Sequence, residues 1–178
     1  LHLHEQFFPA SFSRPSFLDN HDMNRFLIIA GNDMRKLKLA ALCQFTLAGP
    51  PVVYSGTEVG VRQARLMSDP DSHGMEECRQ PMLWDNEQNA DVRDYFQTLI
   101  HFRRKHPVLW RGQRQTLHVD AATGLYAYTV SDETEIVLVV MNVSAEERPF
   151  TLHLPHNALI ALTLPDWAGN LQTLAARS

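Results

Sequence analysis

The sequence predicts an α/β region followed by an all-β region, on three observations. Two short apolar segments, residues 15–18 and 52–54, flank a helix-spaced stretch over residues 34–47. Each segment runs directly into a polar corner. From Gly112 the apolar period changes from helical to two-residue alternation. Strand, helix and strand in that order make a parallel unit, which brings both polar corners to one face of the sheet. The boundary falls near Trp110-Arg111-Gly112, giving an α/β part over 1–111 and a β part over 112–178.

Taken in order, Leu1-His2-Leu3-His4 offers two imidazoles at the spacing of half a metal site. No third ligand follows at useful spacing, so these residues read as a helix end before a Pro/Ser loop. Residues 15–18 form a strand that hands the chain to Asp19-Asn20-His21-Asp22, as a buried strand does where it meets an active-site loop. Asn32 or Asp33 caps the helix over 34–47. Its apolar residues Leu37, Ala40, Ala41, Leu42, Phe45 and Leu47 cover most of the circumference, so it packs on several sides. Gly49-Pro50-Pro51 stops it. Val52-Val53-Tyr54 is too short and too apolar for anything but a buried strand. It ends at Ser55-Gly56-Thr57-Glu58-Val59-Gly60, the second corner.

Residues 61–90 are irregular, and so long a loop inside a compact domain is often functional. A helix follows over 90–105, with Val92, Phe96, Leu99 and Ile100 in its stripe, and His106-Pro107 ends it. Five alternating segments, 115–119, 125–130, 135–142, 149–154 and 159–164, then predict a small antiparallel β-sandwich. Residues 136–141 are apolar throughout, which places that strand under cover on both faces.

Composition narrows the function classes. The chain has 178 residues, enough for one large domain or two small ones, and 44% hydrophobic with 20% charged residues is ordinary for a soluble globular protein. A net charge of -4 argues against nucleic acid or an anionic membrane as the main partner. No apolar run is long enough to span a bilayer. Cys43 and Cys78 lack the spacing of a metal site or a disulfide framework, and Cys43 reads as a small buried hydrophobe. Two such thiols favour a reducing compartment, the cytoplasm. The first residue is Leu1, not Met, so the chain reads as processed or as a piece of a longer one.

Asp19, Asn20, His21, Asp22, Asn24 and Arg25 form a dense set of donors and acceptors, and Glu58 ends the neighbouring strand on the same face. Sugar sites use such mixtures because every hydroxyl needs both a donor and an acceptor. The plain alternative is a capping Asp beside a core histidine. A second enzyme class competes, since Asn20-His21-Asp22 also resembles the Asn-His-acid element of dinuclear-metal phosphoesterases. Their upstream Asp-x-His and Gly-Asp-x-x-Asp elements are not seen. A third reading makes the β part a non-catalytic carbohydrate-binding or structural module. It lacks a clear aromatic platform, because Tyr126 and Tyr128 alternate in phase.

Phe17-Leu18-Asp19-Asn20-His21-Asp22 resembles the fourth signature region of the α-amylase family of glycoside hydrolases, at barrel strand 7. The stretch from Gly49 to Gly60 is similar to that family's region at barrel strand 8, and Arg79-Gln80-Pro81-Met82-Leu83-Trp84-Asp85 to the Arg-x-Pro-Met-x-Trp segment after it. The helix ending in Phe102-Arg103-Arg104-Lys105-His106-Pro107 resembles the last barrel helix. The resemblance is nearest to the neopullulanase, cyclomaltodextrinase and maltogenic-amylase group. It implies the last two β/α units of a (β/α)₈ barrel followed by an antiparallel β-sandwich, in an enzyme acting on α-glucans or maltooligosaccharides.

The resemblance also implies roles. Asp22 aligns with the carboxylate that binds the hydroxyls of the sugar at the cleavage point and favours its distorted form. His21 aligns with an imidazole that hydrogen-bonds the same sugar. Arg25 is expected to pair with Asp22 or to line the cleft, Glu58 to anchor its loop, and Tyr54 to pack in the barrel. Retaining hydrolysis needs two further carboxyl groups roughly 5 Å apart. In the family these come from strands 4 and 5, which would precede Leu1. The chain alone is therefore expected to be inactive and to associate with the missing barrel segment or with itself. Ser55 departs from the family's usual Tyr, and residues 61–78 are longer than its usual loop. No cofactor is implied. Calcium occurs in the family but has no ligand set here, and Asp69-Pro70-Asp71 reads as a turn.

Overall fold

A computed structural model describes residues 7–9 and 12–147 of the chain. The His2/His4 segment and the strands expected at 149–154 and 159–164 lie outside the described residues.

The two apolar segments do not form regular strands. They meet in a single parallel bridge between Ser16 and Pro51. The Ser16 amide donates to Pro50 O at 3.0 Å, and the Val52 amide donates to Ser16 O at 2.7 Å. The parallel direction is as expected, but the ladder is not there. Pro15, Pro50 and Pro51 carry no N–H to extend it, and parallel strands are normally flanked on both sides. The buried Gln44 adds the missing tie, its Nε2 donating to Ser16 O at 2.8 Å and Val52 O at 2.9 Å.

Between the segments lie a short helix α1 (Phe26–Ile29), which no sequence signal marked, and α2 (Met34–Thr46). The chain enters α2 through Asn32, in the left-handed region at φ 59°. Asp33 Oδ1 then accepts from the Arg35 amide at 2.9 Å, capping the helix. The Arg35 guanidinium hydrogen-bonds the same carboxylate and holds its pKa at about 2, against 3.8 for an ordinary aspartate.

Helix α3 (Ala90–Lys105) is capped by Asn89, whose Oδ1 accepts from the Val92 amide at 3.1 Å. Its buried Val92, Phe96 and Leu99 pack on Leu27, Leu37, Ala41 and Phe45. The Phe45 and Phe96 rings meet edge to face at 5.9 Å. Ile100, expected in the stripe, is 41% exposed, because one residue beyond Leu99 turns it off the buried face.

A one-turn helix α4 (Val108–Arg111) leads into β1 (Gln113–Asp120), β2 (Leu125–Ser131) and β3 (Ile136–Asn142), an antiparallel sheet in that order. Both-face burial of β3 is not what the structure shows. Val137, Val139 and Met141 are buried while Ile136, Leu138 and Val140 are half-covered. The buried face packs with Val108, Leu109 and Tyr128 against Leu39, Leu42, Cys43 and Phe102. Helix α2 thus touches α3 on one side and the sheet on another, which is what its apolar circumference called for. Cys43 is half-buried, and that burial pushes its thiol pKa up. Thr46 and Tyr128 share a hydroxyl hydrogen bond across this junction.

Candidate active site

The first corner is built by a short chain of polar ties. Asp19 is buried, and its carboxylate accepts from the Phe26 amide at 2.9 Å, starting α1, and from Thr57 Oγ1 at 2.6 Å. This one side chain fastens the first corner to the second. Glu58 serves its own turn, accepting from the Gly56 amide at 2.9 Å, in keeping with its reading as an anchor. The Asp69-Pro70-Asp71 segment is a turn as expected, with the Asp71 amide donating to Asp69 Oδ1 at 2.9 Å.

Arg25 does not pair with Asp22 and does not face open space. It is 1% exposed. Its Nε donates to Cys78 O and its Nη1 to Ser55 O, both at 2.8 Å, with Thr57 Oγ1 at 3.3 Å. The guanidinium lies 4.1 Å from the centre of the Tyr54 ring. A buried cation needs such partners. They turn Arg25 inward, away from the cleft-lining role the sequence suggested, and give Tyr54 a stacking role.

His21 and Asp22 stand outside this framework, with side chains 64% and 61% exposed. His21 Nε2 lies 3.1 Å from Asp22 Oδ2. The Asp22 amide donates to Asn20 Oδ1 at 2.8 Å, which tightens the turn that presents both. The cation beside Asp22 is Arg79, with Nη2 3.5 Å from Oδ1. Arg79 Nε also donates to His21 O at 3.1 Å.

Sequence reasoning named His21 and Asp22, which the structure places side by side at the surface, but not Arg79, which touches both, or Gln63, which ties Arg25 to Asn24. Gln63 is buried. Its Oε1 accepts from the Arg25 amide at 2.6 Å, while its Nε2 donates to Asn24 Oδ1 at 2.7 Å and Arg65 O at 2.6 Å. The only signal for either residue was membership of the long irregular stretch, plus the Arg-x-Pro-Met-x-Trp pattern for Arg79.

The His21–Asp22 pair sits on an open wall. Two surface depressions lie apart from it, one of about 490 Å³ lined by Met34, Val61, Arg62, Gln80 and Asn89, the other of about 510 Å³ along α3. Among the described residues, no cluster of three His, Cys, Asp or Glu is placed to hold a metal ion. No helix among them is long and apolar enough to cross a membrane.

The chain that carries this exposed imidazole–carboxylate pair is similar to known proteins. A family model described as alpha amylase, catalytic domain, matches residues 1–112. The chain belongs to the α-amylase family. It is 31% identical over 172 residues to an alpha-amylase 2 of Dictyoglomus thermophilum, a match covering 96% of this chain and 28% of that one. It is 35% identical over 143 residues to a neopullulanase 2 of Thermoactinomyces vulgaris, covering 80% of this chain and 23% of that one. A solved cyclomaltodextrinase superimposes with a TM-score of 0.64 at 38% identity, over 75% of this chain and 21% of its own.

The chain thus spans about a quarter of the length of these relatives. The family match spans residues 1–112, which include Asn20-His21-Asp22, and so favours the α-amylase resemblance over the phosphoesterase one.

Proposed function

We propose that this chain is the C-terminal part of a retaining glycoside hydrolase or transglycosidase that acts on the α-1,4 bonds of α-glucans, with α-1,6 bonds as the alternative. The observation that carries this is the exposed His21–Asp22 pair on an otherwise tied-down corner of an α-amylase-family fold. Asp22 accepts hydrogen bonds from the hydroxyls of the sugar at the cleavage point, and His21 donates to the same sugar. As the sugar ring flattens toward an oxocarbenium-like state, bonds that shorten with it lower the barrier. Arg25 and Asp19 serve this indirectly, by fixing the backbone that presents the pair.

In this reading the attacking carboxylate and the acid/base come from other strands of the barrel, and residues 112–178 complete a β-sandwich. Phe17, Ile29 and Val52, each at least half exposed or close to it, support a flank that is covered by the rest of the barrel or by a second copy. No cofactor is part of this reading. Two free thiols, Cys43 and Cys78, favour a cytoplasmic setting.

The test is Asp22→Asn in the protein joined to the rest of its barrel, assayed for release of reducing ends from maltooligosaccharides. We expect kcat to fall about 100-fold or more with a smaller change in KM. Unchanged turnover removes the role given to Asp22. The 178-residue chain alone should release no sugar, and activity there that disappears in Asp22→Ala would overturn the division of labour.

A further inference from the structure

Arg79 is a charged group on the corner that the sugar-binding reading leaves without work. It follows the 3-10 turn Gly74–Cys78 of the long irregular stretch, and its guanidinium reaches back across the corner. Nε donates to His21 O at 3.1 Å, Nη1 meets Glu76 Oε1 at 3.2 Å, and Nη2 meets Asp22 Oδ1 at 3.5 Å. The neighbouring Cys78 thiol donates to the same His21 carbonyl at 3.3 Å. The Cys78 carbonyl in turn accepts from the buried Arg25 Nε at 2.8 Å. The segment that carries Arg79 is therefore anchored through its backbone to the framework beneath the site.

A guanidinium is a rigid planar fork, so fixing two of its nitrogens aims the third. Here Nε and Nη1 are engaged, and Nη2 is turned onto Asp22. Asp22 is then held from three sides, by Arg79 on Oδ1, by His21 on Oδ2 at 3.1 Å, and by Asn20 on its amide at 2.8 Å. An exposed ion pair contributes little to global stability. What this one changes is the direction in which a carboxylate on a solvent-facing turn points.

The geometry points to Arg79 as a positioning residue that holds the Asp22 carboxylate in one rotamer, ready for the sugar. It acts through Asp22 and touches no substrate itself, and its value for catalysis rests on the role proposed above for Asp22. The charge alone is not sufficient. The fork ties the carboxylate to the His21 carbonyl, so the imidazole and the carboxylate keep a fixed relation to each other.

Three-bond couplings that report Asp22 χ1, measured by NMR on the isotopically labelled chain, test the inference without any sugar. In the wild type one rotamer should dominate. In Arg79→Gln the couplings should move to values averaged over the staggered wells, with amide shifts of α3 and β2 unchanged. Arg79→Lys should fall between, since an ammonium keeps the charge and loses the fork. If Arg79→Gln does not fold, wild-type protein in 1 M sodium chloride decides, because screening to about 3 Å should shift the couplings toward the averaged values.

Couplings that are already averaged in the wild type, or that ignore both the substitution and the salt, overturn the proposal. In the barrel-complete protein, Arg79→Gln should lower kcat about tenfold or more with little change in KM, and Arg79→Lys should recover part of it. The two readings fail separately. Asp22 couplings that respond to Arg79 while Asp22→Asn leaves turnover intact would sink the catalytic role and leave the positioning one. Couplings that do not respond, with Asp22→Asn inactive, would do the reverse.

Discussion

The His21–Asp22 corner and the three-stranded sheet are held together by opposite means. In the sheet, side chains alternate along each strand and the buried ones meet their cross-strand neighbours, as Tyr128 faces Val139 and Val130 faces Val137. Each contact there follows from a turn of a few residues. In the corner, polar side chains reach backbone groups far away in sequence, as Arg25 reaches Ser55 and Cys78, and Gln63 reaches Arg25. The sheet gains from burying apolar area, which is insensitive to small shifts. The corner gains from directed hydrogen bonds in a buried setting, which are not. A site that has to fix the direction of two exposed side chains is better served by the second kind of support.

The sharpest way to break that contrast is Arg25→Met. The change keeps much of the volume but strands the carbonyl of Cys78 in a buried setting, where a group without a partner costs about 1–3 kcal/mol, and also removes the part-buried bond to Ser55 O. We expect a loss of about 3 kcal/mol in urea unfolding, with hydrogen-exchange protection falling in residues 19–25 and 55–79 before it falls in β2. Equal loss of protection in both regions would show that they are not separately supported. Val139→Ala attacks the sheet in its own terms. Removing two buried methyl groups and leaving a small cavity should cost about 2 kcal/mol, with the Asp22 couplings unchanged.

The smallest effect sharpens the comparison through pH. Asp33 caps α2 as an ionised carboxylate whose pKa is held down near 2 by Arg35, below the ordinary 3.8. A depressed carboxylate contributes stability above its unfolded value and loses it as pH falls through its folded one. Between about pH 4 and pH 2, Asp33→Asn should therefore lose less stability than the wild type, and acid unfolding curves of the two should converge. Parallel curves across that window would show that the cap is not titrating.

Local rules carried the sequence reading well where local physics decides the outcome. The Asp33 cap, the span of α3, the β1–β3 hairpins and the parallel sense of the Ser16–Pro51 contact all follow from side-chain period, capping chemistry or connection rules. Elsewhere the deciding partner is distant. Nothing near Arg25 announces that its guanidinium ends against Cys78 O, and its place beside Asp22 in sequence suggested an ion pair that Arg79 makes instead. Apolar residues 136–141 suggested full cover, but the alternation of a pleated strand leaves every second one only half-covered. Helix α1 was hidden because its cap, Asp19, stands seven residues before Phe26 and not at its start.

Arg103 gives the junction between the two regions a different meaning. From within α3 it donates to the carbonyls of Phe45, Leu47, Ala48 and Gly49, between 2.6 and 3.1 Å. The first two are among the groups a helix leaves without partners where it stops, and the other two belong to the residues just beyond it. Helix α2 halts at Thr46 with Leu47 already extended, three residues before the first glycine. The punctuation mark for one helix is thus carried by another, nearly sixty residues downstream. Any excision, permutation or graft that takes α2 without α3 takes a sentence without its full stop.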